Sequence, residues 1–282
     1  MIAFSIGPIN IYWYWIFYLV GFLIWYLFLK FIWKSKIFAK FDKLQKLLTE
    51  WIDDILIFII LWVLIWGRLW EVFIYQRHYF SKNLLEIFAI WNGGMSFIGG
   101  ILGVFISLIV LKKVKKLSMV EFWLLLDTIL VVVPLAIFFG RFGNYLNQEL
   151  YWLIVASNFW WISKWLVNIM TNLNIFHVYS RVDNNLRINT NFISMCFEWL
   201  ILLAILLNVF FRKIKRKKIK PWIVVWYFLI FYSFFRFFIE YLRIDSQSQF
   251  IGLFTRSQWI FIFLIIVGIY FLLNKQLKTK HL

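Results

Sequence analysis

Cysteine is almost missing from this chain of 282 residues: Cys196 stands alone, which excludes an intramolecular disulfide, and its apolar neighbours assign it to packing. Acidic side chains are scarce as well, 13 against 30 Lys and Arg, for a formal net charge of +17. In a soluble chain that excess would point to nucleic acid. Here the basic residues stand in short blocks between apolar runs, so no basic soluble domain exists to carry such binding and nucleic acid is excluded as a partner. The 3 histidines, His78, His177 and His281, show no pairing at ligand spacing, so no metal site and no cofactor are expected. A glycine-rich phosphate loop and a nucleophile-elbow serine are both lacking. The lack of an internal repeat weighs against a transporter. The first eleven residues carry no positive side chain and no small-residue cleavage pattern, so the first apolar run is expected to be a retained span.

What the chain has in abundance is apolar and aromatic surface. Apolar residues make up 63% and aromatic residues 23%, with a mean hydropathy of +0.81. Apolar runs cover 11–29, 55–75, 95–111, 122–139, 192–211, 222–239 and 260–273, each near the length of about 20 residues that a bilayer core requires. Most of the Lys and Arg fall in the alternate segments 34–46, 112–116, 212–220 and 275–280. Positive residues favour the cytoplasmic side. The expectation is an all-α polytopic membrane protein of about seven spans, N-terminus out and C-terminus in. It forms a single transmembrane domain over 1–282, with 145–191 inserted between spans four and five as a small extracytoplasmic head. Trp152, Trp160, Trp161 and Trp165 suggest that this head partly enters the headgroup region.

That topology places polar residues at one depth. Tyr14, Arg68, Glu71, Gly93 to Ser96, residues 140–149, Glu198, Arg236, Glu240 and Arg243 all fall near the outer ends of their spans. A shared site by the outer leaflet is the simplest explanation, since isolated charges there need separate partners. The stretch 140–149 reads Gly-Arg-Phe-Gly-Asn-Tyr-Leu-Asn-Gln-Glu, and its Arg141, Asn144 and Gln148 stand at i, i+3 and i+7 on one helix face. Arg236, Glu240 and Arg243 stand at i, i+4 and i+7. Arginine presents a planar fork that matches phosphate oxygens two at a time. Arg141, Arg236 and Arg243 could together hold a phospholipid headgroup with Glu240 orienting them, or they could form an ion-pair network between spans. Other polar groups read as structure. Gly99, Gly100 and Gly103 suit close helix packing, Pro134 a kink, Asp127 a helix–helix hydrogen bond, and Glu121 a solvated helix end.

Residues 140–149 resemble the signature of bacterial prolipoprotein diacylglyceryl transferases. Gly7-Pro8 with Tyr12-Trp13-Tyr14 is similar to that family's first span, with Tyr14 on its functional tyrosine. Trp91-Asn92-Gly93-Gly94-Met95-Ser96-Phe97 resembles its glycine-rich segment, and Arg236-Phe237-Phe238-Ile239-Glu240 with Arg243 resembles its late arginine–glutamate face. The resemblance runs from about Ile6 to Gln258 in order and spacing. It implies transfer of the sn-1,2-diacylglyceryl group from phosphatidylglycerol to the lipobox cysteine of prolipoprotein signal peptides, at the outer leaflet of the cytoplasmic membrane. It further implies phosphate binding by Arg141 and Arg236, headgroup positioning by Asn144, orientation by Glu240 and a polar contact from Tyr14. Asn147, Glu149, Gly93, Gly94, Ser96, Glu198 and Arg243 join as substrate-binding positions.

Three positions depart from that pattern. The resemblance implies a histidine where Ile98 stands, a glycine where Trp152 stands, and a proline-containing turn where Ile193-Ser194-Met195-Cys196-Phe197-Glu198 keeps only the serine and the glutamate. The histidine's loss motivates a competing class, a catalytically impaired member that binds anionic lipid or lipoprotein precursors. A carboxylate near the site, or its positive field, is then expected to promote thiol ionisation.

Overall fold

In the computed structural model, residues 2–6, 9–34, 38–89, 94–148, 153–158, 161–215, 221–242 and 250–274 are described. A short hairpin of β1 (Ile2–Ile6) and β2 (Ile9–Tyr12) leads into α1 (Trp13–Lys34), followed by α2 (Asp42–Glu50), α3 (Ile52–Trp70), α4 (Arg77–Lys82) and α5 (Phe97–Val114). Next come α6 (Met119–Leu130), α7 (Val133–Asn147), the short α8 (Val155–Asn158) and α9 (Lys164–Asn172), and an antiparallel pair, β3 (Phe176–Val178) and β4 (Leu186–Ile188). The chain continues through α10 (Thr190–Ile193), α11 (Ile201–Lys215) and α12 (Ile223–Tyr241). It ends in a third hairpin, β5 (Phe250–Ile251) with β6 (Phe254–Thr255), and α13 (Arg256–Leu273). Among the described residues, two π-helical segments interrupt the regular geometry, Glu71–Tyr75 after α3 and Ser194–Leu200 before α11.

Among the described residues, five helices are long and apolar enough to cross a membrane: Ile52–Tyr75, Met119–Asn147, Thr190–Ile214, Ile223–Tyr241 and Arg256–Leu273. The other two expected runs fall on α1 and α5. Large apolar side chains such as Leu23, Leu61, Ile101, Phe263 and Ile266 face outward, as the surface of a helical membrane protein requires when its solvent is hydrocarbon. The described residues are mostly helical, as expected of an all-α membrane protein, with three small two-stranded hairpins added to the helices.

The chain divides into two compact units, Ile32–Phe122 and the remainder. In the unit Ile32–Phe122, α5 lies along α3 through its glycines. A Cβ placed on Gly99 would come 2.3 Å from the Trp66 carbonyl oxygen, and one on Gly103 would come 2.4 Å from that of Trp62. The helix backbones touch, so these glycines serve packing. At the other end of that unit Glu121 is buried, which corrects its reading as a solvated end. Its carboxylate accepts from the Ser118 backbone N–H at 2.9 Å and, through the second oxygen, from the Leu44 N–H at 3.2 Å. One side chain thus satisfies orphan donors at the starts of both α6 and α2.

In the larger unit, α1 packs on α7, where Gly21 meets the Ala136 backbone and Phe17 stands edge-on to Phe142 at 4.9 Å between ring centres. Helices α6 and α7 form one apolar rod broken at Val131 and Val132, with Pro134 in the first turn of α7. Proline lacks the N–H that would continue the ladder, so the break falls just before it. Asp127, fully buried in α6, accepts from Lys213 Nζ at 2.9 Å and from the backbone N–H of Val225 at 3.1 Å. It ties α6 to α11 and caps α12, the helix–helix role expected of it.

Candidate active site

Residues 140–147 of the signature stretch form the C-terminal half of α7, which packs against the π-helical segment Ser194–Leu200; that segment also touches α12. Three backbone elements therefore bring Arg141, Glu198 and Arg236 toward one another. The hydroxyl of Tyr232 lies within electrostatic reach of Glu198, Arg236, Arg141 and Glu240 together. Its ring rests 5.6 Å from that of Trp199. Tyr232 was missed in the sequence reading. It stands one turn before Arg236, on the face that Arg236 and Glu240 already defined, so helical spacing was the signal that could have found it.

Arg236 sits between two carboxylates. Its Nη1 is 3.7 Å from Glu198 Oε2 and its Nη2 is 3.8 Å from Glu240 Oε2. Both distances are ion-pair contacts beyond hydrogen-bonding range. Its side chain makes no hydrogen bond to a described residue, so the guanidinium is held in place by charge while its N–H fork remains available. Asn144, one turn along α7 from Arg141, likewise has a half-exposed amide without a hydrogen bond among the described residues. Glu198 is fully buried; its Oε2 accepts from the Ser194 hydroxyl, which itself accepts from Trp199 Nε1 at 3.1 Å.

The end of α7 is anchored from outside the helix. Gln148, expected on the Arg141 face, instead closes α7 in the left-handed region at φ 59°, where a glycine is commoner. Its side chain explains the exception: Oε1 accepts from the Arg181 backbone N–H at 2.8 Å. Nearby, Asn174 Nδ2 donates to the Tyr145 hydroxyl at 3.0 Å. The segment that makes these contacts has its own small core of Val155, Phe176 and Ile188. Asn147 is half-buried in the last turn of α7.

The remaining expected positions belong to other elements or fall outside the described residues. Gly93, Glu149, Arg243 and Trp152 lie outside them, and Tyr14 is placed by its backbone in the first turn of α1. In the unit Ile32–Phe122, Ser96 caps α5 by accepting from the Gly99 N–H and donates its own N–H to the Gly67 carbonyl at 3.0 Å. Gly94 adopts φ 71°, and its carbonyl accepts from Arg68 Nη1 at 2.8 Å. Arg68, buried under the Phe80 ring, also donates to the Ile87 carbonyl at 2.9 Å, so it organises the loop that carries the glycine-rich segment. Glu71 opens the π-helical turn and accepts from Gln76 Nε2 at 2.7 Å.

A guanidinium held between carboxylates, with a second arginine within electrostatic reach of the same tyrosine, is an arrangement for an anionic oxygen cluster such as a phosphate. The profile of the prolipoprotein diacylglyceryl transferases matches residues 1–274. The chain belongs to that family. Among its relatives, the phosphatidylglycerol–prolipoprotein diacylglyceryl transferase of Janthinobacterium sp. (strain Marseille) is 35% identical over 96% of this chain and 94% of its own length. That of Rickettsia bellii (strain OSU 85-389) is 32% identical over 99% and 96%. That of Aromatoleum aromaticum is 32% identical over 99% and 97%. Membership extends over nearly the whole chain, so both units belong to the family's common architecture.

Proposed function

We propose that this protein transfers the diacylglyceryl group of phosphatidylglycerol to the lipobox cysteine thiol of a prolipoprotein, forming a thioether and releasing glycerol phosphate. The observation that carries the reading is Arg236, flanked by Glu198 and Glu240 without a hydrogen bond to either, with Arg141 within electrostatic reach of the Tyr232 that all three surround. When the glyceryl carbon–oxygen bond breaks, a phosphodiester of one negative charge becomes a monoester that approaches two near neutral pH. Fixed arginines oppose that growing charge at the leaving oxygen and so stabilise the transition state more than the bound lipid. Arg141 and Arg236 hold the phosphate, Asn144 positions the headgroup, Glu240 and Glu198 orient Arg236, and Tyr14 contacts substrate. Seven spans with the N-terminus outside place this site at the outer leaflet of the cytoplasmic membrane. The segment 145–191 then forms an extracytoplasmic head that locks the end of α7. Substrates reach the site laterally from the lipid, which suits a diacyl donor and a peptide anchored by its own apolar stretch.

The test is a gel-shift assay with phosphatidylglycerol and a lipobox peptide. The wild-type protein modifies the peptide, and Arg141→Ala abolishes the shift while the protein stays folded. A lipid-binding member without catalysis would retain phosphatidylglycerol and shift nothing in either form.

A further inference from the structure

We infer that Glu198 takes the proton from the attacking thiol, through its Oε1 atom. The inference rests on the transfer reaction proposed above. A thiol with a pKa of about 8.5 is mostly protonated at neutral pH, yet the thiolate is the nucleophile. Ile98, a side chain without a proton-accepting atom, fills the position where the family resemblance implies a histidine. Of the charged groups around Tyr232, namely Arg141, Arg236, Glu198 and Glu240, only the two carboxylates can accept a proton.

Geometry chooses between them. Glu198 is fully buried, and its two oxygens are unequal. Oε2 receives the Ser194 hydroxyl and faces Arg236, whereas Oε1 is sealed from solvent with no hydrogen-bond partner among the described residues. Glu240 is one helical turn from Arg236 and keeps 15% of its side chain exposed, so water can complete its shell. Leaving a buried polar atom unsatisfied is costly, more so for a charged group, and such atoms in native proteins call for an explanation. A donor arriving with substrate supplies one. Glu198 also lies in the π-helical segment Ser194–Leu200. Such single-turn insertions re-aim side chains and recur at functional sites.

The step balances without a further reactant. The S–H proton passes to Glu198 Oε1, and the sulfur pair forms the bond to the glyceryl carbon. The carbon–oxygen bond to phosphate breaks, and its pair stays on the oxygen facing Arg141 and Arg236. The proton on Glu198 then returns to the phosphate as glycerol phosphate leaves.

The experiment compares cysteine and selenocysteine lipobox peptides, because a selenol is already ionised at neutral pH and has no need of a base. With the full-length protein in lipid nanodiscs, Glu198→Gln lowers kcat/KM for the cysteine peptide by about 10²–10⁴-fold, the usual worth of general-base catalysis. Whatever Arg236 loses with its neighbouring charge is common to both peptides, so the selenocysteine rate falls at least about tenfold less than the cysteine rate. Glu198→Asp preserves the charge but withdraws the oxygen, and it shows the same selective loss if Glu198→Gln does not fold. Equal losses on both peptides, or a cysteine rate within about threefold of wild type, overturn the assignment. A wild-type protein that modifies neither peptide overturns the transfer reading itself.

Discussion

Lys213 and Asp127 form an ion pair at 2.9 Å with both side chains buried, 6% and 0% exposed. Lys213 belongs to the basic segment that the charge pattern assigned to the cytoplasmic side, yet its ammonium turns inward to α6. A charge in a span is retained where it finds a partner. Removing one partner leaves the other buried and unpaired, at a typical cost of about 3–5 kcal/mol. Asp127→Leu is therefore expected to lower the unfolding temperature more than the double variant Asp127→Leu with Lys213→Leu. Asp127→Asn, which can still accept from Val225, is expected to fall between them. Thermal unfolding of these variants, Lys213→Leu and the wild type in one detergent gives the coupling.

The α3–α5 contact sets two glycine substitutions apart from a third. A methyl group on Gly99 or Gly103 collides with a carbonyl oxygen of α3, whereas a methyl on Gly100 meets only Val63 Cγ1 at 3.6 Å, an ordinary contact. Gly99→Ala and Gly103→Ala must push the helices apart, an overpacking loss of about 1–3 kcal/mol. Gly100→Ala is expected to leave stability unchanged. Urea or thermal titration of the three variants reads the difference directly.

These two cases show where the sequence is informative. The apolar runs marked every long helix, Asp127 announced itself as a lone carboxylate in a span, and the i, i+4 spacing of Arg236 and Glu240 aligned them before any coordinates. Side-chain direction was less legible. Nothing in the local sequence of Glu121 distinguishes a solvated end from a cap shared with α2, because Leu44 is 77 residues away. Gln148 has the spacing of a site residue, but the Arg181 N–H that donates to its side chain comes from a loop 33 residues away. The π-helical turn at Ser194–Leu200 shifts Glu198 off the α period, so helical spacing could not place it beside Arg236.

Arg236→Lys separates charge from geometry. Lysine keeps the positive charge but loses the planar fork that meets two phosphate oxygens at once. If the available N–H groups are what hold the leaving phosphate, kcat/KM falls at least about tenfold, equivalent to about 1.4 kcal/mol of transition-state stabilisation. The folded state is expected to be unaffected, since Arg236 makes no hydrogen bond to a described residue. Steady-state kinetics alongside thermal unfolding decide it.

The segment docked on α7 should loosen in mild acid. His177 lies between Tyr145 and Tyr179, 5.2 Å from each ring centre, and is the register partner of Arg187, itself ion-paired with Asp183. Burial holds its imidazole below the ordinary value of 6.5. The Asp183 carboxyl is held below the usual range by its hydrogen bonds from Arg187 and Asn185, so it remains charged in mild acid. Tyr179, pushed up to about 12 by burial, remains neutral. With the folded value depressed, the unfolded segment binds a proton more readily than the folded one as pH drops below about 6.5, so stability is full above that value and declines beneath it. The backbone N–H groups of β3, β4 and the Asn174 turn are therefore expected to exchange hydrogen faster at pH 5.5 than at pH 7.5, after correction for intrinsic rates. His177→Phe keeps the ring packing against Tyr145 but removes the titrating nitrogen, and it should abolish that difference. A pH dependence that survives in His177→Phe would place the titrating group elsewhere.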